Sequence, residues 1–202
     1  WYDYNSIREY ICNFIMSKLE TNTIDNISGS STLTIGDSNT STITLKSGAT
    51  LTNFPDNTPA FFVSKTDGDQ TVNDSSATKV TFNNEIYDTA NAFSSSTFTV
   101  PSGQGGKYSI STGVTSYDGG GSLKRQIVYI YVNGSGVSQV NNDFGERYVY
   151  QMYSFQTVNL SLSASDTVEI YALNDTNDSS TSVVVSNASK YETWVQGFKI
   201  IE

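Results

Sequence analysis

The stretch KVTFNNEIYDTANAFSSSTFTVPSGQGGKYSI, residues 79–110, decides the fold class. Two short runs, Val80-Thr81-Phe82 and Thr97-Phe98-Thr99-Val100, flank a loop of Ser, Asn and Ala. Pro101 and three glycines follow, and then a third run, Tyr108-Ser109-Ile110. Apolar residues at every second position, punctuated by turn formers, spell half-buried strands of an antiparallel sheet. The inward set is Val80, Phe82, Phe98, Val100, Tyr108 and Ile110. No motif in the stretch performs chemistry, so function has to be argued from architecture and from what is missing.

The whole chain has the same texture. Its 202 residues suffice for one domain of ordinary size plus an appendage. Only 15% of residues are charged against 37% hydrophobic, and Ser, Thr and Asn fill the difference. Disordered chains are more charged and poorer in aromatics. Here 13 Tyr and 10 Phe favour sheet.

The net charge of −9 argues against wrapping nucleic acid and against adsorption to anionic lipid. The chain has no His, hence neither the commonest general base nor the commonest transition-metal ligand. The single Cys12 excludes an intramolecular disulfide and a thiolate zinc site. Such a chain folds in a reducing compartment or is stabilised by assembly. No apolar run approaches the roughly 20 residues that cross a bilayer, so membrane insertion is not expected. Residues 1–19 carry Arg8 and Glu9 within their apolar stretch and lack a basic start, unlike a signal peptide. No Gly-rich phosphate loop opens a helix, and no pair of carboxylates is marked out. The expectation is a protein that is not an enzyme and needs no cofactor.

Towards the N-terminus, Ser6-Ile7-Arg8-Glu9 fits a capping box. Ile7, Tyr10, Ile11, Phe14 and Ile15 then share one face, which predicts an amphipathic helix within residues 1–20. So short a helix is marginal alone, so its apolar face needs a partner: the head, two further copies or a larger assembly. Residues 21–56 are Thr-rich. Thr32-Leu33-Thr34-Ile35 recurs as Thr42-Ile43-Thr44-Leu45 and as Thr50-Leu51-Thr52, with turn formers between. One unit buries too little to offset its ordering entropy. Three copies, pointing Leu33, Ile35, Ile43, Leu45 and Leu51 at a common axis, bury more. That predicts a β-rich trimeric stem, with a flexible linker as the alternative. In composition this segment resembles the stems of bacteriophage fibre proteins.

Residues 57–202 form the head. Strands are expected near 60–66, 79–88, 97–101, 107–117, 124–134, 147–155, 157–163, 167–174, 182–186 and 190–201. About ten antiparallel strands without a helical interruption predict an all-β, two-sheet sandwich or jelly roll. Gln126-Ile127-Val128-Tyr129-Ile130-Tyr131-Val132 is apolar on both faces. One face packs in the sandwich. The other, Ile127, Tyr129 and Tyr131, needs a second cover.

The order of short motifs carries a family resemblance. Pro59-Ala60-Phe61 opens the head, and Phe82-Asn83, Tyr87-Asp88 and Phe93 follow. Then come Thr97-Phe98-Thr99-Val100-Pro101, Gly106-Lys107-Tyr108-Ser109-Ile110, Asp166-Thr167-Val168 and Thr193-Trp194-Val195-Gln196-Gly197-Phe198-Lys199-Ile200. This resembles the complement C-one-q globular head, a relative of the tumour necrosis factor domain. Ser96, Ile110, Ser165 and Val195 depart from the family pattern, and the family's cysteines are missing. The resemblance implies a jelly roll whose neighbours around a threefold axis cover the second face. Tyr148, Tyr150, Met152 and Phe155 are candidates for the same interface as Ile127, Tyr129 and Tyr131, Tyr and Met being favoured at interfaces; the alternative is a stem or loop folded back over this face.

Three loops are candidates for recognition, because binding residues concentrate on loops held by a rigid scaffold. They contribute Asp118; Asp143, Phe144 and Arg147; and Asp175 and Asp178. The last two are also weak calcium candidates, although a solvated turn suits them better. The expected function is a homotrimeric virion fibre or spike, folded in the host cytoplasm. Its helix would dock on other virion structural proteins, and its head would bind a host surface glycan or protein. The alternatives are a capsid decoration or head-fibre protein without receptor binding, and a cell-surface or secreted C-one-q-like lectin.

Overall fold

The computed structural model describes residue 47, residues 57–187 and residues 190–200. The expected helix of residues 1–20, with Ile7, Tyr10, Ile11, Phe14 and Ile15, lies outside these. So does the expected stem, with Leu33, Ile35, Ile43, Leu45 and Leu51.

Among the described residues there are thirteen strands and no helix. They are β1 (Ala60–Ser64), β2 (Gln70–Val72), β3 (Thr78–Lys79), β4 (Asn84–Asp88), β5 (Phe93–Ser94), β6 (Thr97–Thr99) and β7 (Gly106–Tyr117). Then follow β8 (Leu123–Val132), β9 (Ser135–Asp143), β10 (Gln151–Leu162), β11 (Thr167–Thr176), β12 (Ser182–Val184) and β13 (Trp194–Lys199). Two sheets form, with every pairing antiparallel. Sheet A runs β2-β12-β7-β13-β1-β4, with β10 on the other side of β7. Sheet B runs β5-β6-β11-β8-β9, with β3 also on β11. This is a jelly-roll sandwich.

The six residues that alternation turned inward are all buried: Val80, Phe82, Phe98, Val100, Tyr108 and Ile110. Rings fill this end of the interior. Phe61 stacks on Phe98 with centroids 4.5 Å apart, and Phe98 meets Tyr108 at 5.6 Å. Phe93 bridges Phe61 and Phe82. Such ring pairs add to what area burial alone supplies. Tyr108 stays tolerable here because its hydroxyl donates to the Gln104 carbonyl at 2.6 Å, and burial pushes its pKa up to about 12. Gly197 is dictated by the same packing. A Cβ there would stand 2.6 Å from Ile110 Cδ1 and 2.8 Å from the Phe61 ring.

The other end of the interior is polar. Gln126 Nε2 donates to Ser116 Oγ at 2.6 Å, and Ser116 Oγ donates to Asn174 Oδ1. Ser154 Oγ donates to Gln126 Oε1, and Asn142 Nδ2 to Ser154 Oγ. Asn174 Nδ2 donates to Ser182 Oγ at 2.7 Å. Gln126, Asn174 and Asn142 stand on sheet B, while Ser116, Ser154 and Ser182 stand on sheet A. Every one of these bonds therefore crosses the sandwich.

Several expected strands need correction. Residues 147–155 and 157–163 are not two strands. Residues from 151 on form the single β10, which pairs with β7 from Gln151↔Tyr117 to Leu162↔Gly106. The apparent break fell at polar inward positions, and Gln156 is satisfied there by the Val128 carbonyl and Ser138. Residues 79–88 divide between β3 on sheet B and β4 on sheet A. The strands β2, β5 and β9 lie in none of the expected ranges. β9 joins β8 through Asn133-Gly134, both with positive φ (50° and 77°), a two-residue type I′ hairpin. A second such turn, Ser95-Ser96, joins β5 to β6 with φ of 48° and 59°. Serine is a poor residue for that conformation. Ser96 is held there by Oγ, which accepts from the Phe82 backbone N–H at 2.9 Å.

Candidate functional site

Two sheet faces and one loop end carry the candidate residues. The residues expected from the sequence are divided among them.

The outward face of sheet A is aromatic. On β10, even-numbered residues point inward and odd-numbered ones outward, so Tyr153 and Phe155 face solvent and Phe155 is 52% exposed. Phe155, Gly113 and Trp194 lie in one row across β10, β7 and β13. The glycine is required there, since a Cβ would stand 2.3 Å from the Tyr153 hydroxyl and 2.6 Å from Trp194 Nε1. Phe155 meets Trp194 at 5.9 Å, Trp194 meets Phe62 at 6.0 Å, and Phe62 meets Tyr87 and Tyr191 at 6.2 and 5.4 Å. Tyr87, Tyr117, Tyr153, Tyr191 and Phe198 are all exposed. Most of this set escaped sequence reading, because an outward aromatic alternates as regularly as an inward one.

The outward face of sheet B carries Ile127, Tyr129 and Tyr131, joined by Tyr171 of β11. Tyr131 stacks on Tyr171 at 4.2 Å and meets Tyr129 edge-on at 5.8 Å. Beside them Lys79 Nζ pairs with Glu169 Oε1 at 2.7 Å. Glu169 also accepts from Thr97 and Tyr171. Burial pushes this carboxyl up, but the Lys79 and Thr97 contacts outweigh it and hold it below the usual value. Tyr171 is pushed up by burial and by the facing Glu169 charge.

The expected interface is thus split between opposite sides of the sandwich. Ile127, Tyr129 and Tyr131 lie on sheet B, and Ile127 is only 7% exposed within the single chain. Phe155 lies on sheet A. Tyr148 precedes β10 on the connection from β9, as does Tyr150, whose ring packs over Gly121. Met152 is 4% exposed and points inward, so it cannot contribute to an interface.

The three candidate loops do gather at one end of the sandwich, the polar end. Arg125 opposes Asp143, and Phe144 N–H donates to the Lys124 carbonyl. Phe144 and Arg147 are exposed. Asp118 is not available as a contact residue. It is 7% exposed and accepts from the Ser122 N–H at 2.6 Å and from the Ser122 hydroxyl at 2.8 Å, which closes the β7–β8 turn. Nor do Asp175 and Asp178 build a calcium site. The Asp175 carboxylate faces Arg125 at 3.1 Å and Lys124 at 3.5 Å. Asp178 Oδ1 accepts from Ser122 and Ser180, which hold its pKa low. Among the described residues no group of three or more acidic or sulfur ligands converges on a point.

Solved structures share this architecture. The Eiger TNF of S. frugiperda superposes with a TM-score of 0.53 at 12% identity, over 71% of this chain and 92% of that one. The globular domain of zebrafish complement 1qA protein is similar with a TM-score of 0.47 at 18% identity, over 71% of this chain and 98% of its own. The head has a jelly-roll fold like that of the TNF structure, and at 12% identity the likeness is one of fold. No protein-family model and no curated protein matches the chain.

Proposed function

We propose that the chain is a homotrimeric virion fibre or spike protein, without catalytic activity, whose head binds a receptor on a host surface. The observation that carries the trimer is the aromatic face of sheet A. A continuous exposed patch of this kind marks a protein interface, and Tyr, Trp and Phe are the residues enriched in one. Self-association is favoured over a foreign partner because a closed ring of three buries the same face in every copy and leaves the loop ends free. The succession expected from the sequence, a short amphipathic helix and a Thr-rich stem ahead of the head, supports a projecting fibre on a virion. The exposed Phe144 and Arg147 at the gathered loop end suit a contact with a receptor.

Sedimentation equilibrium of the full chain tests the assembly. Trimer mass at micromolar concentration is the expected result, with dissociation in Phe155→Arg, whose exposed position leaves the monomer fold intact. A wild-type monomer overturns the trimer. Immunogold labelling of particles tests the setting. A few projecting copies are expected, whereas a dense array on the capsid lattice would make the protein a decoration.

A further inference from the structure

A hollow of about 340 Å³ opens on the outward face of sheet B, lined by Tyr129, Tyr131 and residues 136–139. A bulge makes it. Ile130 opposes Ser138 but Tyr131 opposes Gly136, so Val137 is the extra residue on β9 and the strand bends. Gly136 keeps the Tyr131 ring accessible, because a Cβ there would come within 3.3 Å of Tyr131 Cε1. From the other side the ring is fixed by its stack on Tyr171 at 24° between planes, and Tyr171 is tethered through its hydroxyl to Glu169. The aromatic wall is therefore set before any ligand arrives.

The polar groups around it are unspent. The side-chain amide of Gln139, which opposes Tyr129, has no hydrogen-bond partner among the described residues. The same holds for the amide of Asn141 and for the hydroxyls of Tyr129 and Tyr131. All four are neutral. The charged groups beside them, Lys79 and Glu169, are committed to each other.

We propose that this face binds a neutral saccharide, with a pyranose ring lying on Tyr131 and its hydroxyls bonded to Gln139 and the tyrosine hydroxyls. A sugar ring offers both halves of what the site presents, an apolar C–H face and a rim of hydroxyls. An acidic sugar would need an uncommitted cation on a chain of net charge −9. An apolar peptide would leave the amides desolvated and unpaired, at a cost. The inference goes beyond the receptor reading at Phe144 and Arg147, adding a separate site and naming its ligand class. The site is on the side of the sandwich away from the aromatic face of sheet A, so a trimer joined through that face presents three copies, and weak sites gain by number.

Saturation-transfer NMR and calorimetry on the full chain supply the test, with methyl hexosides and N-acetylhexosamines as probes. Saturation should reach the ring C–H protons, with a dissociation constant of about 1 mM for a single ring. Gln139→Ala, at an exposed position, and Gly136→Val, which fills the hollow, should each weaken binding about tenfold. The proposal is overturned if no neutral sugar binds at about 50 mM, if binding survives both variants, or if only a sialic acid or a peptide binds. Any of these leaves attachment through Phe144 and Arg147 standing, because cell adhesion of the Phe144→Ala variant reads that end separately.

Discussion

One end of the sandwich interior is a stack of rings, and the other is a chain of amides and hydroxyls. The two ends share the same strands. β7 runs from Tyr108 among the rings to Ser116 in the chain, and β11 runs from Val168 to Asn174. At the ring end, stabilisation scales with area removed from water, and any large apolar side chain recovers much of it. At the polar end each bond contributes little net, about 1 kcal/mol, but an orphaned partner costs about 1–3 kcal/mol. The ring end depends on volume, and the polar end on pairing.

The largest expected effect lies at the ring end. Phe98→Ala should cost about 3–5 kcal/mol in urea unfolding, with Phe98→Leu recovering most of it. Gln126→Ala should cost about 2–3 kcal/mol, since it strands Ser154 and the Val114 carbonyl at once. Here Leu should do no better than Ala, because volume is not what was lost. If Gln126→Leu restores stability, the contrast between the ends is wrong.

Coupling sharpens the same point. Gln126→Ala and Asn174→Ala share Ser116, so their effects should fail to add by at least about 0.5 kcal/mol. Phe98→Ala and Gln126→Ala should add, being separated by roughly 20 Å of strand.

Acid should loosen the loops at both ends. Asp74 is pushed up by burial, but the Thr176 N–H and hydroxyl outweigh this and hold it below the usual range. Asp178 is lowered by Ser180 and Ser122, and Asp166 at the ring end by Asn133 and the Ser163 N–H. Carboxyls with depressed folded-state values stabilise above their unfolded pKa, and the benefit is lost as pH falls through the folded value. The melting temperature should therefore be flat above about pH 5 and fall below about pH 4. Asp74→Asn should flatten that fall, and an unchanged slope would remove Asp74 from the account.

The smallest effect is a gain. Ser95→Asn, at an exposed residue with φ of 48°, should raise stability by up to about 1 kcal/mol, because Asn accepts the left-handed conformation better.

The contrast also explains what could be read from the chain. Val80, Phe82, Phe98, Val100, Tyr108 and Ile110 announced themselves because the ring end obeys simple alternation. The polar end breaks that rule. Ser154 and Gln156 face inward, so β10 looked like two strands, and β9 has too few apolar residues to show a face. Asn133-Gly134 is the one local signal of the hairpin that leads into β9. The aromatic face of sheet A was hidden for the opposite reason. Its outward aromatics alternate as regularly as inward ones: Phe155 belongs to the expected interface, but Trp194 stands out in the sequence only as part of the terminal motif, and the register with Gly113 is what sets the two side by side outside.

The cross-sandwich bonds have one more consequence, for alignment. A strand that slides by two residues keeps its inward side chains inward, and an interior of oil alone would tolerate the slip. Here a slide of β8 would carry Gln126 away from Ser116 and Ser154 and leave buried hydroxyls and an amide without partners. The amide chain thus acts as a key cut for one lock. It fixes how far each sheet is displaced along the other, and with it the placing of every loop at the tip.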